Sequence, residues 1–317
     1  MRSAVASEAR DTSSEPLPEP AAEEPRNGLS PHRQSPRALV ADAWAGRALV
    51  RPFGSRIIRK MYAKTILGAT WLFIRPIVDT GGRALLFGSI LGVAGPPNGV
   101  PYFLFLLVGM QSWRLFDQTL FWATRSFDRH ARFTRRFAFP LLLVPIAGSA
   151  FAWVEFAIYT GIAVFVFALF VVTDGVLYLS VGPQLLMGVA GLLLATLLAL
   201  GVGFWLCVLN ARWRDVRLTL RYVLEIWLYA TPVIYPLSQI PSGFRTVAQI
   251  NPMTPIVEMT KQGFLDAGDV TVPGVIWAVS ATAIALGSGL WFFGRYAARF
   301  ISPYVVVDDD EEEEDMI

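Results

Sequence analysis

The sequence has one cysteine, Cys207, and two histidines, His32 and His130, in 317 residues. Cys207 lies inside an apolar run, so neither a disulfide nor a thiolate metal site can be built, and the residue reads as a small buried hydrophobe. Each histidine sits in a basic, polar stretch with no partner at ligand spacing, and no metal is expected. There is no Gly-Lys dipeptide anywhere in the chain. That excludes a Walker A phosphate loop, and with it ATP hydrolysis by this chain alone. Charge is also scarce, at 16% Asp, Glu, Lys and Arg, where an average soluble domain has about 25%. The first 37 residues, rich in Pro, Glu, Ser and Arg, lack the apolar stretch of a signal peptide and read as a disordered cytoplasmic extension.

What the chain does have is apolar surface. Hydrophobic residues make up 54%, and they come in runs close to the ~20 residues that carry a helix across ~30 Å of hydrocarbon. The expected spans are 76–94, 101–124, 141–172, 181–209, 217–236 and 273–297, the third long enough to require tilt or extension beyond the bilayer. Residues 237–272 are moderately apolar but are broken by Pro241, Gly243, Pro252, Pro255, Gly263 and Gly268. Such a segment cannot hold one spanning helix; it fits two short re-entrant helices whose broken backbone is buried by protein.

Orientation follows from the cations, which are retained on the cytoplasmic side near span ends. With six spans and both termini inside, 22 of the 27 Lys and Arg residues fall on one side, and Arg245 and Lys261 on the other. The net charge of +2 is deceptive, because residues 308–315 form an unbroken acidic run that reads as a solvated tail. Before the first span, Arg56, Lys60 and Lys64 recur at helical spacing opposite Ile57, Ile58, Met61, Tyr62 and Ile66, the pattern of an amphipathic interface helix. Pro76 then suits the start of a new helix. The domain plan is an extension at 1–37, a cytoplasmic segment with interface helix at 38–70, an all-α six-span membrane domain at 71–299 and an acidic cytoplasmic tail at 300–317.

Six motifs in order carry a resemblance: YAKTILGATWLFIRPIV at 62–78, LVGMQSWRLF at 107–116, RRFAFPLLLVP at 135–145, NARWRDV at 210–216, YATPVIYPLSQIP at 229–241 and INPMTPIVEMTKQGFL at 250–265. In these the chain resembles the permease subunit of ATP-binding-cassette exporters that move O-antigen, teichoic acid or galactan on polyprenyl diphosphate carriers. The resemblance implies a homodimer in a bacterial plasma membrane, with two copies of a separate ATPase subunit holding ATP and Mg, and no nucleic-acid partner. It also implies that the basic loop after the second span, with Arg125, Ser126, Phe127, Asp128, Arg129, Arg132, Arg135 and Arg136, is a coupling helix docking on that ATPase. A departure is Lys261, where the family has arginine; it keeps the charge and loses the bidentate fork.

Two residue sets are candidates for substrate contact. Arg75, Asp79 and Arg83 stand at i, i+4, i+8, one ladder on one helix face, which either neutralises itself or offers its excess arginines to a lipid diphosphate. Arg114, Asp117, Glu155 and Glu225 are further charges of this kind. Trp113 and Phe116 on the second span, and Tyr222, Trp227, Tyr229 and Tyr235 on the fifth, recur at helical spacing and could line a glycan channel or simply pack. Gly88 and Gly92 form a small-xxx-small pair whose ordinary meaning is close helix contact. Competing readings are a drug or small-lipid exporter of the same topology, and a membrane glycosyltransferase or acyltransferase. The latter needs paired carboxylates or a histidine on an outer loop, where only Asp174, Glu258, Asp266 and Asp269 are scattered.

Overall fold

The computed structural model describes residues 35–49, 70–93, 95–96, 98–127 and 140–307. The interface helix with Arg56, Lys60 and Lys64, the loop residues Asp128, Arg129, His130, Arg132, Arg135 and Arg136, and the acidic run 308–315 lie outside them, as do residues 1–34. Among the described residues every regular element is helical. The helices are α1 (Pro36–Ala45), α2 (Trp71–Arg83, continued by a π-helical stretch, Ala84–Ile90), α3 (Tyr102–Thr124), α4 (Leu143–Gly148), α5 (Ala150–Asp174), α6 (Gln184–Arg212), α7 (Asp215–Ala230), α8 (Ser242–Ile250), α9 (Met253–Leu265) and α10 (Val272–Val307).

Among the described residues three helical stretches can cross a membrane by length and composition: Leu143–Asp174, Gln184–Arg212 and Val272–Ala297. The other expected spans carry charge or are short. α3 holds Arg114 and Asp117, and α7, at 16 residues, rises only about 24 Å.

Three boundaries depart from expectation. α1 begins at Pro36, inside the expected disordered extension, because Ser35 caps it through a 3.2 Å bond from the Ala38 amide to its Oγ and Pro36 suits the first helical position. Pro76 does not begin α2; the helix starts at Trp71 and runs through the proline. α7 ends at Ala230, six residues early, because Thr231 is extended (φ −104°, ψ 137°). Thr231 precedes Pro232, whose ring disfavours helical backbone at the residue before it. The third stretch is long enough to need a break, and it bends at Ser149, whose Oγ donates to the Ile146 carbonyl at 2.7 Å.

α6 is the central strut, packed along α10, α3 and α9. Its glycines let helices meet backbone to backbone. A Cβ on Gly263 of α9 would stand 2.1 Å from the Gly188 nitrogen and 2.4 Å from its Cα, so no side-chain rotation could relieve it. Gly263→Ala is therefore expected to cost at least 1–3 kcal/mol, the usual range for overpacking, read as a lowered unfolding temperature in detergent. Gly161→Ala, with nothing within 4 Å of its Cβ position, is the matched control. Gly88 and Gly92 do not act as a pair: Gly88 seats the Tyr102 ring, 2.6 Å from its Cβ position, whereas Gly92 adopts φ +64° beyond the helix end.

The segment 231–236 is non-helical yet mostly buried, which membrane depth permits only where protein satisfies the backbone. Here it does. The Ile234 carbonyl accepts from the Tyr102 hydroxyl at 2.8 Å, the Thr231 carbonyl accepts from the Val233 amide at 2.7 Å, and the Pro232 carbonyl accepts from Lys261 Nζ, while the Thr231 side chain accepts from Asn251 Nδ2 at 2.8 Å. Lys261 is fully buried. Its Nζ is 3.3 Å from Glu258 Oε1 and 3.9 Å from the centroid of the Phe105 ring, and Glu258 Oε2 accepts the Asp269 amide at 2.7 Å. The cation assigned by sequence to an outer loop is thus an internal clamp between α9, the 231–236 turn and α3.

Candidate functional site

A cleft of about 810 Å³ opens between α2, α3, α5 and α7. Each wall is one helical face. α2 contributes Trp71, Arg75, Val78, Asp79 and Arg83; α3 contributes Trp113, Arg114, Asp117, Gln118, Phe121 and Trp122, with Arg125 at its C-cap. From α5 come Phe151, Glu155 and Tyr159, one turn apart, and from α7 Arg221, Leu224, Glu225 and Leu228. The lining holds five arginines and four carboxylates, set among aromatic and aliphatic side chains. Charges at such a site are costly unless they pair or face water.

Most of them pair. Asp79 accepts from both Arg83 and Arg114. Arg114 also reaches Asp117 at 3.4 Å, whose Oδ2 takes a 3.0 Å bond from Gln118, and Gln118 in turn accepts from Trp122 Nε1 at 3.1 Å. Arg221 and Glu225 lie 3.8 Å apart at the exposed rim, their side chains 76% and 66% accessible; such a pair contributes little in water. Three charges remain outside this network. Arg75 is exposed and has no ion pair among the described residues. The Arg125 guanidinium lies 5.1 Å from the centroid of the Phe121 ring, and its buried Nε has no hydrogen-bond partner. Glu155 is 8% exposed and its buried Oε2 is likewise unpartnered.

The sequence ladder is therefore real but divided: Arg83 is committed to Asp79, while Arg75 is not. Arg114, Asp117, Glu155 and Glu225 join it from other helices. Arg125, read from sequence as a docking residue, also lines the cleft. Beside it Ser126 and Phe127 are buried, Phe127 with its ring 6.3 Å from that of Phe293. Arg221, Gln118 and Tyr159 escaped notice, although the spacing of Phe151, Glu155 and Tyr159 marks one helical face. Of the aromatic candidates, Trp113, Phe116 and Trp227 pack on one another with ring centroids 5.2–6.2 Å apart. Phe116 is fully enclosed and Trp113 reaches the cleft. Tyr235 donates to the Tyr229 carbonyl at 2.7 Å, whereas Tyr222 and Tyr229 stand exposed on α7.

Long apolar helices mark a multi-pass membrane protein, and among them lies a guanidinium-rich cleft. The chain belongs to the ABC-2 type transporter membrane family, whose model matches residues 53–265. It is 24% identical over 225 residues to the O-antigen export system permease protein RfbA of Myxococcus xanthus, covering 69% of this chain and 81% of that protein. A protein of the same description from Klebsiella pneumoniae is 20% identical over 243 residues, covering 77% of this chain and 90% of its own length.

Proposed function

We propose that the chain is the transmembrane permease subunit of an ATP-driven exporter that carries a polyprenyl-diphosphate-linked polysaccharide out of the cytoplasm. Family membership supports transport, and the two O-antigen export permeases support a glycan cargo. The observation that carries the lipid-diphosphate part is the cleft's charge arithmetic: once internal pairs are formed, Arg75, Arg125 and Glu155 are left facing an 810 Å³ space, an excess of one positive charge. Guanidinium forks suit phosphate oxygens.

The surrounding architecture is read to match. Six spans with both termini in the cytoplasm put the basic loops on one side, with α8 and α9 as the re-entrant pair on the other. Two copies form the channel, and the exposed Arg221, Tyr222, Glu225 and Tyr229 on α7 suit a polar path or a second copy better than lipid. Energy comes from two copies of a separate ATP- and Mg-binding subunit docked beneath the basic loop that holds Arg129, Arg132, Arg135 and Arg136.

Depleting the protein is expected to make long lipid-linked glycans accumulate in the cytoplasmic leaflet; normal glycan export with retention of a drug or small lipid would overturn the reading. Arg75→Ala with Arg125→Ala is expected to lower surface glycan at least tenfold at equal protein level. For the docking loop, Arg135→Glu with Arg136→Glu should abolish copurification with the ATPase subunit and its stimulation.

A further inference from the structure

The cleft holds one group that a diphosphate alone does not explain. Glu155 is more than nine-tenths buried, faces the same space as Arg75 and Arg125, and has a carboxylate oxygen with no hydrogen-bond partner. A buried acceptor left unmade is costly, and no cation forms an ion pair with it among the described residues: Arg114 is divided between Asp79 and Asp117, and Arg75 lies exposed in the cleft lining. The helix that carries Glu155 is also held in place. α5 is pinned against α3 one turn before it, where Phe151 packs on Trp122 at a centroid distance of 5.0 Å, and just over one turn after it, where Gln111 donates to Thr160 at 2.7 Å. The helix that carries Glu155 is thus held against α3, with the Glu155 side chain in the lining of the cleft.

A ligand that satisfies the whole cleft has an anion for the two unpaired guanidiniums and, close to it, a hydrogen-bond donor for Glu155. Free phosphate or an unsubstituted lipid diphosphate offers the first, with a terminal P–OH as donor that is lost as the phosphate ionises. A sugar joined directly to a diphosphate offers both, through a ring hydroxyl or an acetamido N–H. Resting on the lipid-diphosphate reading above, we propose that Glu155 accepts a hydrogen bond from the sugar residue attached to the carrier's diphosphate, so that the cleft distinguishes a glycosylated carrier from a bare one. Bonds to a charged acceptor are the stronger kind, and a site built to bond a donor rejects the analogue that lacks it.

The test measures binding of two probes to the full chain in lipid nanodiscs: a short-chain polyprenyl diphosphate, and the same lipid carrying one N-acetylhexosamine. The unaltered protein should hold the glycosylated probe about tenfold more tightly. Glu155→Gln, close in shape, should erase most of that preference, while the bare probe's affinity holds or rises because a negative charge beside the diphosphate is lost. Arg75→Ala with Arg125→Ala should weaken both probes together. An unaltered protein that binds both probes equally, or a Glu155→Gln variant that keeps the preference or loses affinity for both alike, would overturn the sugar contact. Failure of the unaltered protein to bind either probe would instead overturn the lipid-diphosphate reading beneath it. Should Glu155→Gln not fold, binding of deoxy- and deacetylated-sugar probes to the unaltered protein decides the same question: the contact requires that one of them lose the tenfold.

Discussion

Lys261→Met is expected to cost about 3–5 kcal/mol, the range for removing one partner of a buried ion pair, and to leave little folded protein in the membrane. The magnitude comes from what the substitution strands. Glu258 is 2% exposed and would keep its bond from the Asp269 amide, but its other oxygen would face the hole left by the ammonium. The Pro232 carbonyl would lose the Lys261 donor in a segment whose neighbours Val233 and Ile234 are wholly enclosed, and Phe105 would lose its cation. A double variant, Lys261→Met with Glu258→Gln, removes both charges and is expected to recover more than half of the loss, because two neutral groups need no mutual compensation. Lys261→Arg keeps the charge, yet the site is closed around a linear side chain: the Lys261 Cε lies 3.0 Å from where a Cβ on Gly109 would sit. The arginine variant should therefore be less stable than the parent, by about 1–3 kcal/mol as for other overpacked cores. Folded yield and unfolding temperature in detergent check all three. If Lys261→Met is as stable as the parent, the clamp has no role in holding α9 against the 231–236 turn.

The clamp also marks where reading the sequence stops. Local spacing reveals what one helix does: Arg75, Asp79 and Arg83 could be placed on one face from their numbers alone, and the Pro and Gly positions in 237–272 foretold the short helices α8 and α9. Pairings between helices were not visible. Arg114 stands 35 residues from Asp79, and nothing in either neighbourhood states that their helices lie side by side. Without that contact the ladder left two readings open, self-neutralisation or excess arginines offered to a ligand, and neither included Arg114, which shares Asp79 with Arg83. Lys261 shows the same limit in reverse. A lone cation in a loop between spans counts as a topology marker under the positive-inside rule, and only the meeting of Glu258, Phe105 and the Pro232 carbonyl makes it a core residue. Pro76 misled because a proline is a good first residue of a helix; here α2 begins one turn earlier and accepts the missing hydrogen bond. Gly88 and Gly92 misled because a small-xxx-small spacing presumes a continuous α-helix, and the π-helical turn over Ala84–Ile90 changes which face each glycine occupies.

The divided ladder leads to the second large effect, on Asp79. Its carboxylate sits between Arg83 of its own helix and Arg114 of α3, with the three side chains between 21% and 25% exposed. Asp79→Asn leaves two guanidiniums beside each other, with only Asp117 to share. Because a fifth to a quarter of each side chain still meets solvent, the cost falls below that of a sealed pair, to about 2 kcal/mol, and it should shrink as salt screens the repulsion. The effect on binding runs the other way. The cleft goes from an excess of one positive charge to two, and Arg83 becomes available to a phosphate, so the affinity for a polyprenyl diphosphate should rise several-fold while the unfolding temperature drops. A purely structural ladder predicts a different pattern, in which stability and binding fall together because α2 shifts away from α3. Adding Arg83→Gln to Asp79→Asn separates the two further: it restores the original charge excess, and should return both stability and diphosphate affinity toward the parent values if Asp79 serves to keep Arg83 and Arg114 out of the ligand's reach.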